Sequence, residues 1–260
     1  EADVALRDRR TWRALGSALG HQAPVRQQIA GASQSTVRVT EALDAGRAPD
    51  MLWFSSESAR HPLVETLVAA TEAHGGEVFV TPRDILSKIS GKDNPGAVIG
   101  IYPESWTPLS DIDRTKASIW MVAERLRDPG NLGTILRTLA WFGNFRVLLT
   151  PQSVDPYNAK VLRAAMGAHF HVPVEIDVPL DSLGKRFARI ARLDTQGTSI
   201  QSPKFRDYPC YLFGNEARGL PADVASASQF TAFTIPGSGA IESLNLATAV
   251  NLCAYELVRA

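Results

Sequence analysis

Asn131 and Arg137 stand six residues apart in the stretch Arg127-Asp-Pro-Gly-Asn-Leu-Gly-Thr-Ile-Leu-Arg137. Pro129-Gly130 makes a turn. Asn131 then sits at the start of a predicted helix, where its side chain can cap or donate outward. Arg137 lies nearly two turns on and should project from roughly the same side. A cap plus a surface arginine explains both residues; so does a polar pair facing a substrate. A second stretch, Phe213-Gly-Asn-Glu-Ala-Arg-Gly-Leu-Pro221, follows a predicted strand. Gly214 and Gly219 permit close backbone approach or a positive φ. Such a turn can bind phosphate, yet it is neither GxGxxG nor GxxxxGK[ST]. A third, Thr234-Ile-Pro-Gly-Ser-Gly-Ala-Ile-Glu-Ser-Leu-Asn-Leu-Ala247, carries Ser243 and Asn245 into an otherwise apolar helix. Capping accounts for those two polar residues, but the glycines Gly237 and Gly239 make the loop unusual for structure alone.

The elements that must position these loops alternate along the chain. In the first half, a helix capped by Ser35 or Thr36 runs through Ala45 and stops at Gly46. A strand is predicted over 50–54, a helix over 61–74 ended by Gly75-Gly76, and a strand over 77–80. Pro82 opens a short helix, and 96–102 is a buried strand. Residues 103–116 hold prolines, serines and mixed charge without apolar period, as a linker does. In the second half, strands are predicted over 118–123, 146–149, 171–175, 211–213 and 231–235. Helices are predicted over 132–142, 157–166, 180–192 and 243–258. Strands rich in Val, Ile and Leu with helices between them predict an α/β fold whose parallel sheet is covered on both faces. Ligands of such sheets bind in loops at the carboxyl ends of the strands. The resulting division is an extension over 1–32 with a local basic excess, an α/β domain over 33–103, a linker over 104–117 and a larger domain over 118–260.

Composition narrows the function classes. The chain has 260 residues, 45% of them hydrophobic, enough for one large core or two modest ones. Lys+Arg and Asp+Glu both number 27, so the net charge is zero and a purely electrostatic nucleic-acid binder is excluded. An RNA footprint would have to be a local patch. Cys210 and Cys253 form no CxxC, so neither a disulfide framework nor a cysteine zinc site is expected; no metal is called for, and a reducing cytoplasm fits. No apolar run reaches the roughly 20 residues of a membrane helix. The first residues lack the apolar core of a secretory signal.

Taken together, the strings DPGNLGTILRT, LFGNEARGLP and IPGSGAIESLNLATAVNL resemble, in order and spacing, the three motifs of the SPOUT superfamily of RNA methyltransferases, in particular its TrmH-like branch of ribose 2′-O-methyltransferases. The resemblance covers about residues 118–260. Residues 33–102 resemble the family's N-terminal substrate-binding domain, which is similar to ribosomal protein L30e. The resemblance implies a deep trefoil knot in the second domain, an exception to un-knotted topology. It implies S-adenosylmethionine as cofactor, with Gly214, Ile235 and Leu244 lining it and Leu212 and Pro236 beside them. It implies Arg137 as the catalytic group, surrounded by Asn131, Glu216, Ser243 and Asn245. A ribose hydroxyl is a poor nucleophile, so a base or an alkoxide-stabilising cation is needed. Glu216 could fix an arginine by a bidentate pair. The family works as a homodimer with its last helix at the interface and its active site completed by both subunits.

The implied partner is structured RNA, most of all 23S rRNA, met by the first domain through candidates Arg38, Arg47, Arg60, Arg83, Lys88 and Lys92. One subgroup protects antibiotic producers, and the chain is similar in outline to avilamycin- or thiostrepton-type resistance methyltransferases. Competing readings are a tRNA ribose methyltransferase, a non-catalytic RNA-binding module with the same fold, and an unrelated NAD or ATP enzyme. The residue after Pro236 is often bulkier in the family than Gly237.

Overall fold

The structure is a computed structural model that describes residues 28–30, 34–90, 98–102, 119–215, 219–221 and 229–259, with the side chains of 28–38 and 89–90 left aside. The chain divides into two compact units, Glu1–Ser105 and Trp106–Ala260. The expected linker and most of the expected N-terminal extension lie outside the described residues.

The first unit contains β1 (Gln28–Ala30), α1 (Gln34–Asp44), β2 (Met51–Ser55), α2 (Pro62–Ala73), β3 (Glu77–Thr81), α3 (Arg83–Ser90) and β4 (Val98–Ile101). The sheet order is β1-β4-β2-β3. β2 and β3 run parallel across α2, while β4 is antiparallel to both β1 and β2. β1 has no counterpart among the strands expected from the sequence. Ser35 and Thr36 lie inside α1 rather than capping it. Gly46 ends that helix region with φ +74°, the left-handed stop that glycine adopts without a Cβ clash. His61 caps α2, its Nδ1 accepting from the Leu63 N–H at 3.3 Å, and Pro62 opens the first turn. Trp53 stacks on Phe79 with ring centroids 5.0 Å apart; Leu86, Ile99 and Ile101 close around it.

The second unit contains β5 (Ile119–Ala123), α4 (Pro129–Phe142), β6 (Phe145–Leu149), α5 (Ala159–Ala165), β7 (Val174–Glu175), α6 (Leu180–Arg186), β8 (Ile190–Ser199), β9 (Cys210–Phe213), β10 (Phe230–Thr234) and α7 (Leu246–Val258). Its six strands lie in the order β10-β8-β9-β5-β6-β7, and every pairing is parallel. Side chains alternate between the two faces. Met121, Ala123, Val147, Leu149, Tyr211 and Phe213 join the main core with α4, α5 and α7. Trp120, Val122, Leu148, Cys210 and Leu212 join the other, with Leu183 of α6. Burial on both faces is why these strands read as continuous apolar runs.

The helix expected over 180–192 ends at Arg186, and Phe187 is already extended. The spacing of Leu180, Leu183, Phe187 and Ile190 suits a helix. Strand pairing overrides it, because Ile190 and Ala191 are fully buried between β9 and β10. The strand expected over 171–175 shrinks to β7, since His171 closes a 3-10 turn over Ala168–Phe170. Residues 243–245 precede α7 rather than belonging to it, and Asn245 is its cap.

Gly133 marks where α4 and α5 meet. A Cβ there would lie 2.4 Å from the Ala164 Cβ and 2.9 Å from the Val161 carbonyl oxygen. Gly133→Ala should therefore lower stability by about 1–3 kcal/mol despite its better helix propensity. Urea titration against the parent checks this; an unchanged midpoint would mean that the helices separate freely.

Candidate active site

The loops at the carboxyl ends of β8, β9 and β10 enclose a cavity of about 1290 Å³, more than the 300–1,000 Å³ of a typical small-ligand site. It is bordered by the amino ends of two helices. Asp128 caps α4, its Oδ1 accepting from the Asn131 N–H at 2.7 Å. Asn245 caps α7, its Oδ1 accepting from the Thr248 N–H at 3.2 Å. The caps are joined: Asn245 Nδ2 donates to Asn131 Oδ1 at 3.0 Å. The first and third motif loops, 114 residues apart in sequence, thus share one hydrogen bond at the cavity edge. Helix amino ends carry partial positive charge, which suits a carboxylate or phosphate group.

The second motif loop forms another wall. It doubles back on itself through paired hydrogen bonds, Asn215 N–H to Gly219 O at 3.0 Å and Gly219 N–H to Asn215 O at 2.9 Å. A Cβ on Gly214 would sit 2.7 Å from the Gly219 carbonyl carbon and 2.9 Å from the Leu220 nitrogen. Glycine is what lets the loop close. Asn215 Nδ2 also donates to the Arg125 carbonyl at 2.9 Å.

The third wall comes from β8. One step along β10, from Ala232 to Phe233, spans Arg192 to Thr198 on β8, so 193–197 stand out of the ladder. Leu193, Asp194 and Thr195 thereby reach the cavity. Thr234 Oγ1 ties the excursion down by donating to Thr195 O at 3.1 Å. Partial burial pushes the Asp194 carboxyl up, but the paired Arg192 guanidinium and backbone hydrogen bonds from Gln196 and Thr195 outweigh it and hold it below the usual aspartate range. It is therefore a carboxylate at neutral pH.

Of the residues singled out in the sequence, Asn131, Gly214, Ile235, Pro236, Ser243, Leu244 and Asn245 line this one cavity. Arg137 does not. It is exposed on α4, and six residues of helix turn it about 600° from Asn131, well off the same side. Leu212 does not line it either: its side chain is fully buried on the opposite face of the sheet, as strand alternation requires one residue before Phe213. Glu216 lies outside the described residues. Gly237 is open, since a Cβ there would meet nothing within 4 Å, and a bulkier residue would fit. Asp128, Asn215 and the β8 excursion were missed. The DPGN turn held the signal for Asp128 as a helix cap; the polar run 194–199 held none for a strand. In the first unit, Arg60, Arg83 and Lys88 are exposed, with Arg83 4.0 Å from Glu57. Arg47 is half-buried. Lys92 and the Arg38 side chain lie outside the described residues.

The cavity's chemistry fits S-adenosylmethionine. Its described lining includes the carboxylates Asp128, Asp194 and Glu242 and no Lys, Arg or His, a surrounding that favours a sulfonium cation. Leu193, Leu220, Ile235 and Leu244 supply apolar surface for an adenine. Among the described residues no cluster of His, Cys, Asp or Glu could hold a metal.

Residues 118–255 match the SpoU rRNA methylase family. Residues 38–105 match the substrate-binding domain of RNA 2′-O-ribose methyltransferases. An uncharacterized tRNA/rRNA methyltransferase of Synechocystis is 30% identical over 207 residues, covering 77% of this chain and 73% of the relative. The 23S rRNA (guanosine(2553)-2′-O)-methyltransferase RlmP of Bacillus subtilis is 26% identical over 202 residues, covering 74% and 77%. Mouse mitochondrial rRNA methyltransferase 3 is 38% identical over 153 residues, and there the chain spans only 34% of the relative. The AdoMet-bound rRNA methyltransferase of Sinorhizobium meliloti superposes with TM-score 0.76 at 30% identity, covering 89% of this chain and 87% of that one. AviRb of Streptomyces viridochromogenes shares the fold, with TM-score 0.77 at 20% identity and 97% coverage of both chains. S-adenosylmethionine is the cofactor of these enzymes as a family. With a methylase domain that matches over 118–255 and a substrate-binding domain in front of it, the chain belongs to the SpoU rRNA methylase family of RNA methyltransferases.

Proposed function

We propose that this protein methylates a ribose 2′-hydroxyl of 23S rRNA in the cytoplasm, as a homodimer whose two active sites each draw on both subunits. The observation that carries the reading is the meeting of three distant loops around one cavity, the first and third joined by the Asn131–Asn245 hydrogen bond. Bound there, S-adenosylmethionine supplies an electrophilic methyl group. Gly214, Ile235 and Leu244 would hold it, largely through backbone. Asn131, Ser243 and Asn245 orient the sugar. Fixing both reactants in line contributes much of the rate.

As the hydroxyl oxygen takes the methyl group and the sulfonium S–C bond breaks, the hydroxyl proton would pass to solvent, and the developing oxyanion needs a cation. The described cavity lining of one chain provides none. Arg137 supplies it from the partner subunit. It shares its helix face with Trp141, one turn on, and Trp141 is 86% exposed. Phe142 beside it contacts Tyr255 of α7 with ring centroids 6.2 Å apart, and Leu252, Tyr255 and Val258 are exposed too. An apolar patch of this kind marks an interaction surface. Docking it on a second copy carries Arg137 toward the other cavity. The trefoil threading belongs to the same proposal and is supported by the packing of α7 on α4 after the loop that borders the cavity. The cysteines are free and buried, which suits a reducing compartment.

The test is transfer of labelled methyl from S-adenosylmethionine to 23S rRNA and tRNA transcripts, with the modified nucleoside identified by mass spectrometry. A 2′-O-methylated nucleoside from 23S rRNA is expected; label only in tRNA, or on a base, rejects the proposal. Trp141→Glu should shift sedimentation from dimer to monomer and remove transfer. A Trp141→Glu dimer with full activity would place the interface elsewhere.

A further inference from the structure

A second, smaller cavity of about 440 Å³ opens at the carboxyl ends of β5 and β6. Its floor is a buried polar knot. Glu124 is 3% exposed; its Oε2 accepts the Thr150 hydroxyl at 2.7 Å, and its Oε1 lies 3.3 Å from Arg125 Nε. Thr150 Oγ1 in turn accepts the Arg125 N–H at 2.8 Å. Arg125 adopts φ +45°, a left-handed conformation that Gly or Asn takes at lower cost. A strained non-glycine residue held in place by its neighbours points to a use for its side chain. That side chain is 48% exposed and is held by Nε, and among the described residues its two terminal nitrogens are left for an occupant. Asp181 and Gln152 also border the space, with Leu180, Pro179 and Phe230 as apolar walls.

We propose that this second cavity takes an unpaired guanine of the substrate RNA, held between Arg125 and Asp181; the proposal rests on the RNA-methyltransferase reading above. Two carboxylates against one guanidinium give the cavity a negative balance, which disfavours a phosphate. A neutral base with acceptors on one edge and donors on another suits it. Guanine presents O6 and N7 to an arginine fork and N1–H and N2–H to a carboxylate. Adenine would set its amino group against the guanidinium, and uracil offers one donor. Phe230 gives a surface to stack on, as unpaired RNA bases do. The place is apt, because the two cavities flank one loop: Gly214, Asn215 and Gly219 border the first and Pro221 the second. Asn215 ties that loop to the Arg125 carbonyl. A base seated here holds the RNA beside the methyl-transfer cavity.

The experiment titrates the whole protein with guanosine and adenosine by NMR and measures methyl transfer to a 23S rRNA transcript. Guanosine should bind more tightly than adenosine. Arg125→Gly keeps the carbonyl and relaxes the backbone but leaves the buried Glu124 without its cation, so the melting temperature should fall by a few degrees while S-adenosylmethionine affinity holds. Guanosine binding should weaken about tenfold and the KM for RNA rise by a similar factor at unchanged kcat. Asp181→Asn should act in the same direction; it leaves that knot intact and should keep the parent melting temperature. Equal binding of the two nucleosides, or guanosine affinity untouched by Arg125→Gly, overturns the proposal. Weakened guanosine binding with an unchanged RNA KM also overturns it, assigning the pocket to a free nucleoside. A wild-type protein that methylates no transcript defeats the function proposed above, and the nucleoside comparison still judges the pocket.

Discussion

Arg137→Ala is expected to reduce kcat for methyl transfer by about 10²–10³-fold, the loss seen when one group that stabilises a developing oxyanion is removed. S-adenosylmethionine binding and thermal stability should stay near the parent values, because Arg137 is exposed on α4 and takes no part in the described lining of its own chain's cavity. Arg137→Lys should recover only part of the rate, since an ammonium keeps the charge but lacks the planar fork. Single-turnover kinetics with saturating cofactor separate the chemical step from binding. A variant with normal kcat would remove Arg137 from the mechanism and leave the oxyanion without its proposed cation.

Gly214→Val should weaken S-adenosylmethionine binding by about 5–150-fold in calorimetry. The new Cβ would sit within 3 Å of three backbone atoms of Gly219 and Leu220, and backbone cannot rotate away as the end of a side chain can. Forcing the loop open costs roughly 1–3 kcal/mol, and each 1.4 kcal/mol weakens binding about tenfold. The same strain need not unfold the protein, because the loop is tied at Asn215 and its Leu220 only borders the core. Gly237→Val is the contrast. Nothing in the chain lies within 4 Å of a Cβ there, so the loop should keep its backbone path and the protein its melting temperature.

Legibility in the sequence followed physical cause. The two-faced burial of β5, β6 and β9 wrote itself as apolar runs, and glycine stops such as Gly46 wrote themselves as helix ends. Seven cavity residues were readable because the motif strings specify them together. β8 was hidden: its first two residues carry its burial, and 193–197 leave the ladder. Its identity as a strand comes from pairing with β9 and β10, which no local pattern encodes. Arg137 shows another limit. Sequence spacing put it near Asn131, but helical rotation turns it toward Trp141, on the face that the proposed dimer would cover. Leu212 was one residue out of phase with its strand, and period-two geometry sends such a residue to the opposite face.

In the proposed dimer each cavity receives its arginine from the other subunit. Mixing equal amounts of Arg137→Ala and Gly214→Val subunits under conditions of exchange tests it. Each mixed dimer would hold one complete site, an intact cavity from the first subunit and an intact arginine from the second. Transfer should recover to about a quarter of the wild-type rate, since random pairing makes half the dimers mixed and each carries one of two sites. Activity no greater than that of the two parents alone would mean that arginine and cavity act within one chain, and would contradict it.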